Sequence, residues 1–351
     1  MNEPASAEPG TLDPGAAPVG DVPDDVLEPE LVPRTSDEQS VASEPRDRRA
    51  LVIGEALIDV VRRVDGSTSE HPGGSPANVA LGLGRLGRGV DLLTWIGDDV
   101  RGRVLSEHLG ASCVTVVPGS DSAPRTSVAV ATLSPDGAAT YEFDLSWQVP
   151  QRWASPPAPP LVVHTGSIAA VLEPGGPDVA NVLAANRESA TLTYDPNMRP
   201  SLMPPPQVTG PIVEALVAIA DVVKVSDEDL AWLADVPPLE TARRWAASGP
   251  ALVVMTMGGC GAVALTSDGR RIEVAAPAVV VADTVGAGDS FMAGLIDGLW
   301  AAGLLGADQR AALRCISDAT VREVVERCVR IAAITVSRPG ADPPTRAELG
   351  S

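Results

Sequence analysis

Asp283-Thr284-Val285-Gly286-Ala287-Gly288-Asp289-Ser290-Phe291 follows the apolar run at 279–281 and leads into a segment whose apolar positions repeat as Phe291, Leu295 and Leu299, with Asp297 opposite. That spacing predicts a helix opening on a glycine turn. Backbone N–H groups at such a turn point outward beside the positive end of the helix dipole, so Gly286, Ala287 and Gly288 read as an anion hole suited to a developing phosphate charge. Asp289 stands at its mouth, where a carboxylate can take a proton from a hydroxyl attacking the held phosphoryl group. Taken alone, the stretch is also compatible with an ordinary strand-to-helix turn carrying a solvated early-helix acid.

Upstream lies a second glycine turn into a helix, Gly73-Gly74-Ser75-Pro76-Ala77-Asn78-Val79-Ala80. Gly73 and Gly74 let backbone approach a ligand closely, and Asn78 offers a donor and an acceptor to sugar hydroxyls. A capping turn is the plain alternative. In Gly54-Glu55-Ala56-Leu57-Ile58-Asp59, the carboxylate of Asp59 lies just past the first apolar run, where it can accept bonds from two neighbouring hydroxyls. A turn aspartate fits that stretch equally well. Gly82-Leu83-Gly84-Arg85-Leu86-Gly87 matches G-x-G-x-x-G, but Val79, Leu83 and Leu86 place it inside an amphipathic helix, so no dinucleotide loop is expected. The chain has no G-x-x-x-x-G-K-[ST], which excludes a P-loop.

Around these motifs, short apolar runs at 51–53, 91–96, 161–164, 191–194, 222–225 and 252–256 alternate with amphipathic segments near 77–88, 100–109, 177–188, 207–220 and 239–247. Repeated βα units of this kind predict an α/β fold with a mostly parallel central sheet flanked by helices, and ligands at the carboxyl ends of its strands. Alternating stretches at 126–133 and 138–145 flank Ser134-Pro135-Asp136-Gly137 and predict an antiparallel hairpin. With 58–64 they make a small sheet able to cover a ligand.

The 351 residues are 44% hydrophobic and 21% charged, with a formal net charge of −20, and only Lys224 among the 26 basic residues is a lysine. A chain this long buries a sizeable core. Its acidic balance lacks the basic footprint that a nucleic-acid backbone or an anionic membrane requires, so neither is an expected partner. Residues 1–48 hold twelve acidic residues, three basic ones and eight prolines, which predicts a disordered tail ahead of a folded domain at 49–351. Cys113, Cys260, Cys315 and Cys328 are widely spaced, so reduced, mostly buried thiols are expected and neither a disulfide framework nor a zinc site. No signal-peptide pattern opens the chain and 290–307 reads as a buried helix and turn, which points to the cytoplasm.

In this order, the two glycine turns resemble the paired signatures of the PfkB family of carbohydrate kinases, whose fold is ribokinase-like, and within it the fructokinase-like branch. The resemblance runs from about residue 51 to the C-terminus, with Gly97-Asp98-Asp99 and Gly102 at the tail of the first signature. It implies Asp289 as catalytic base, Gly286, Ala287 and Gly288 as anion hole, Asp59, Gly73, Gly74 and Asn78 as sugar ligands, and the 126–145 hairpin as part of a lid. Asp195-Pro196-Asn197-Met198-Arg199 resembles the family's D-P-N-x-R segment and directs Arg199 toward a phosphate. Lys224-Val225-Ser226-Asp227-Glu228-Asp229 stands where the family has N-x-x-E. Lys224 and Ser226 then fall at the nucleotide, and Asp229 would hold waters of a Mg²⁺ ion. Thr256, Gly258 and Gly261 resemble the nucleotide-binding strand and turn. Asp283, Val285 and Gly340 match positions whose oxygens bind a monovalent cation, K⁺, in some members.

The implied activity is transfer of a phosphoryl group from ATP, with Mg²⁺, to a primary hydroxyl of a small sugar. Fructose leads, with ribose, another ketose or a nucleoside as alternative acceptors. Fructokinase-like members often carry a lid arginine after the aromatic strand residue, whereas Tyr141-Glu142-Phe143-Asp144-Leu145-Ser146-Trp147 is acidic. An anionic sugar is therefore disfavoured, and Trp147 is left to stack on a neutral ring. The rival from another class is a sugar-binding regulator without turnover, which the intact Asp289 loop opposes. A homodimer is the assembly left open.

Overall fold

The computed structural model describes residues 48–134 and 139–350. The expected acidic tail, apart from its last residue, and the tip of the expected hairpin lie outside the described residues. The first half of the chain runs β1 (Ala50–Ile53), β2 (Leu57–Arg62), β3 (Thr68–Gly73), α1 (Ser75–Arg85), β4 (Val90–Leu93), α2 (Val100–Gly110), β5 (Val114–Val116), β6 (Val128–Leu133), β7 (Ala139–Asp144) and β8 (Val162–Gly166). There follow α3 (Gly175–Asn186), β9 (Thr191–Asp195), α4 (Pro206–Ile219), β10 (Val222–Ser226), α5 (Asp227–Leu233), α6 (Pro238–Ser248) and β11 (Leu252–Thr256). The last segment comprises β12 (Ala262–Thr266), β13 (Arg271–Val274), α7 (Ala287–Ala301), α8 (Arg310–Arg314) and α9 (Asp318–Val336).

Nine strands form one sheet in the order β13-β12-β11-β10-β9-β8-β1-β4-β5, parallel except at β12 and β13. The apolar runs read from the sequence are its central strands. Their side chains alternate between two apolar layers, so each run is buried on both faces. In β1, Ala50 and Val52 join the layer built with α1, α7 and α9, while Leu51 and Ile53 join the layer built with α3, α4 and α6. Fully burying a Leu or Ile contributes roughly 1.5–3 kcal/mol. This sandwich is what holds the strand ends in register.

The glycines of the G-x-G-x-x-G match serve that packing. A Cβ on Gly82 would lie 2.7 Å from Ala293 Cβ of α7, and one on Gly84 would lie 2.0 Å from Ser112 O. They allow α1 to approach its neighbours and make no nucleotide loop.

A separate four-stranded sheet has the order β3-β2-β6-β7. The expected hairpin is its β6–β7 pair, in register from Val128↔Asp144 to Leu133↔Ala139, and β2 lies parallel to β6. Among the described residues the run at 279–281 pairs in no strand, and Val280 is 88% exposed. The expectation of mostly buried thiols is corrected. Cys113, Cys260 and Cys315 are exposed and only Cys328 is buried. Asp297 is fully buried, held by three arginines. Among the described residues no helix is long and apolar enough to cross a membrane.

Candidate active site

The carboxyl ends of β1, β9 and β10 meet the N-terminal ends of α1 and α7. Gly286 caps α7 with φ 75°, a left-handed conformation that glycine adopts without a Cβ clash, and this turn brings Asp289 into the first turn of the helix. Asp289 is buried, 6% exposed. Ser75 Oγ donates to Asp289 Oδ1 at 2.7 Å and Asn78 Nδ2 donates to Oδ2 at 2.8 Å. Asn197 Nδ2 donates to Ser75 Oγ at 2.7 Å and lies 3.3 Å from Asp289 Oδ1. Arg199 Nη1 takes up Asn197 Oδ1 at 2.6 Å, which fixes the amide with its donor side toward the carboxylate. Segments far apart in sequence thus orient one acceptor-only group: Oδ1 takes two donors, and Oδ2, with one, keeps a free lone pair.

Asn78, expected among the sugar ligands, is placed on the carboxylate of Asp289. Ser75 carried no expected role, although Ser75 and Asn78 are three apart on a helix and so share a face.

Gly74 has φ 102°, and the Cβ of any residue at Gly73 would lie 2.1 Å from Asp59 Oδ2. Gly73 admits the carboxylate of Asp59, and Gly74 admits the backbone of Glu55 and Ala56. Asp59 pairs across strands with His71, and burial pushes its carboxyl up to about 6, offset in part by the charges of His71 and Arg199. Glu55, for which the sequence suggested nothing, is buried beside it in the chain. Its Oε2 accepts from Ala169 N at 3.2 Å, and burial raises it to about 7.

On the other side of the α7 turn, Lys224 Nζ donates to Asp195 Oδ2 at 2.9 Å, both groups buried. Ser226 and Asp229 form the capping box of α5. Thr256 ends β11 with its hydroxyl 3.4 Å from Val225 O, and Gly258 (φ 49°) and Gly261 (φ 98°) shape the turn after it. Asp283 accepts from Val285 N at 3.0 Å through Oδ1 and from Gly340 N at 2.9 Å through Oδ2, which gathers those three residues.

Comparison with known proteins gives the family. Residues 47–348 match the family described as "pfkB family carbohydrate kinase". The chain belongs to this family. A fructokinase of Klebsiella pneumoniae is 34% identical over 261 residues, 72% of this chain and 85% of that one. A fructokinase of Rhizobium leguminosarum bv. trifolii is 35% identical over 276 residues, 75% and 83% of the two chains. Among solved structures, a double-mutant fructokinase of Vibrio cholerae O395, described as bound to fructose, ADP and potassium ion, superposes with a TM-score of 0.72 at 27% identity, covering 86% of this chain and 97% of that one. As a pfkB carbohydrate kinase the protein is a phosphotransferase with an alternating βα sheet and a small second sheet.

Two expectations carried into this pfkB site are corrected by the geometry. Trp147 does not present its ring to a ligand: it is 4% exposed, and its indole N–H donates to Ala169 O at 2.9 Å. Gly175 leaves the space it fills, since a Cβ there would lie 2.4 Å from the indole. Trp147→Phe should therefore cost about 1 kcal/mol of stability through the lost hydrogen bond and leave the sugar KM within about twofold. A rise of tenfold or more in the sugar KM alone would return the ring to the site. Asp229, expected to hold metal waters, has its oxygens on backbone, Oδ1 from Met198 N at 2.7 Å and Oδ2 from Ser226 N at 3.1 Å. It is 8% exposed, because capping α5 draws the carboxylate back onto the chain.

Proposed function

We propose that the protein transfers the γ-phosphoryl group of ATP to a hydroxymethyl group of fructose. Asp289, oriented by Ser75 and Asn78 at the first turn of α7, is the observation that carries this. A carboxylate so held accepts the proton of the attacking hydroxyl, while the backbone of 286–288 stabilises the transferring oxygens. The names of the similar proteins support fructose as acceptor. Asp59 accepts sugar hydroxyls from the small sheet, which acts as the lid. Gly73 and Gly74 give that sheet its close approach.

Among the described residues no group of three or more His, Cys, Asp or Glu is placed to cage a metal. We place a Mg²⁺ ion on the phosphates and their waters, with Asp229 held back on the backbone by Met198 N and Ser226 N. When bound, the ion neutralises charge on the phosphate oxygens. A K⁺ ion is proposed at Asp283, Val285 and Gly340, already drawn together by the Asp283 carboxylate, and unchanged activity with a large organic cation in its place would remove it. A homodimer is proposed through the open face of the lid, where Tyr141, 60% exposed, stacks on Phe143 with centroids 6.0 Å apart. A monomer in sedimentation equilibrium would dismiss it. The proposed location is the cytoplasm, where ATP is the phosphoryl donor.

The test is ADP release across a panel of fructose, ribose, other ketoses and nucleosides. Fructose should give the largest kcat/KM, and a flat panel would remove the assignment. The lid carboxylate adds a pH signature. Because the pKa of Asp59 is raised from 3.8 to about 6, protonation begins at higher pH than for a free aspartate. Its neutral form loses acceptor capacity, so kcat/KM for sugar should fall ~tenfold per pH unit below about 6, with no matching fall for ATP. Asp59→Asn should flatten that limb and raise the sugar KM ~10–100-fold, while Glu55→Gln should keep it. A limb that survives in Asp59→Asn would exclude this carboxyl as its origin.

A further inference from the structure

Lys224 is the only lysine among 26 basic residues, and it is 3% exposed. Its ammonium lies 2.8 Å from the position that a Cβ on Gly288 would take. Gly288 and the ammonium therefore go together, since a side chain at 288 would start in the space that the ammonium holds. The ammonium bonds Asp195 Oδ2, while Asp195 Oδ1 is buried without a hydrogen-bond partner. An ion pair kept for stability alone would satisfy both oxygens, or be replaced by apolar residues at little cost. The location is also unfavourable for a cation by itself, since Gly288 belongs to the first turn of α7 and the dipole is positive there. An anion arriving at the turn changes the sign of that balance. The charges of Asp195, Asp229 and Asp289 all bear on this ammonium, so it is the shared positive partner of three carboxylates at the site.

Building on the kinase assignment, we infer that Lys224 is a positioning residue for phosphoryl transfer: its ammonium, held on Asp195 beneath Gly288, supplies the positive charge behind the 286–288 turn that offsets charge developing on the transferred group. It acts from behind the backbone and is no ligand of the nucleotide. The assignment made from the sequence, Lys224 at the nucleotide, is thereby replaced.

The full chain carrying Lys224→Met with Asp195→Asn removes both charges and leaves no buried carboxylate unpaired. Relative to wild type its melting temperature should stay within about 5 °C and its ADP affinity within about threefold, while kcat falls ~10²-fold. The tightening of ADP binding by aluminium fluoride and fructose should vanish in parallel. A kcat within about threefold of wild type overturns the inference, as does an equal loss in ADP affinity and kcat, the mark of a merely structural pair. Because the chain has one lysine, wild-type protein labelled with ¹³C at lysine Cε gives a single side-chain resonance. That resonance should move when aluminium fluoride joins the ADP complex. If it stays in place the inference fails even where the double variant does not fold, whereas absence of sugar turnover in wild type would instead remove the kinase assignment.

Discussion

Asp289→Asn lowers kcat by at least ~10²-fold and leaves ATP binding within about threefold, because the amide keeps the shape of the carboxylate but cannot accept the hydroxyl proton. The backbone turn at 286–288 is untouched, so the nucleotide is still held. The surroundings make the loss larger. Ser75 Oγ and Asn78 Nδ2 each donate to one oxygen of Asp289, and an asparagine presents an NH₂ to one of those two donors. The hydroxyl of Ser75 can rotate to accept from that NH₂ and the amide of Asn78 cannot, so the asparagine settles with its oxygen toward Asn78 and its NH₂ toward Ser75, where the Asn197 amide loses its acceptor. Steady-state kinetics separate this from Asp59→Asn, which acts through the sugar KM. A variant that turned over sugar at near wild-type rate would require another base.

Asp297→Ala destabilises the protein by about 3–5 kcal/mol, the cost of leaving charges buried without their partner. Asp297 is 0% exposed in α7 and accepts from Arg88 Nε at 2.7 Å, Arg327 Nη2 at 2.8 Å and Arg346 Nη2 at 2.9 Å. These arginines come from the turn after α1, from α9 and from the C-terminal segment, so one carboxylate ties three parts of the chain to the helix that carries Asp289. Arg88 also lies over the Trp300 ring, 4.8 Å from its centroid, and cannot leave without losing that contact. Urea unfolding reads the loss directly, and a melting temperature lower by roughly 10 °C should accompany it. Arg346→Ala costs less, because that side chain is 45% exposed and its departure leaves Asp297 two partners. Equal stability of Asp297→Ala and wild type would show that the cluster contributes nothing net.

The central strands were legible because a strand buried on both faces is written as an unbroken apolar run, as in Leu252-Val253-Val254-Met255. The site turns were legible because two glycine turns opening helices occur in this order, although each alone fits an ordinary capping turn. What escaped was set by neighbours far away in sequence. Thr68-Ser69-Glu70-His71-Pro72-Gly73 has no apolar alternation, yet it is a strand because it edges the lid sheet beside β2, where Pro72 is tolerated. Trp147 follows an alternating stretch that suits a lid, and only Ala169 and Gly175 decide that its ring belongs in the core. The valines at 279–281 have the composition of a strand and lack a partner. For Ser75 the signal was present, three residues before Asn78, but its partner Asp289 lies 214 positions away.

The most direct measurement mixes ATP labelled in its γ-phosphoryl group with fructose and the full chain, and follows label and ADP together after rapid quenching. The label should appear on a sugar hydroxymethyl group at the rate at which ADP forms, and neither product should form at comparable rate with Asp289→Asn. Label found as inorganic phosphate, or on no sugar at all while nucleotide and fructose are both bound, would contradict phosphoryl transfer by this site.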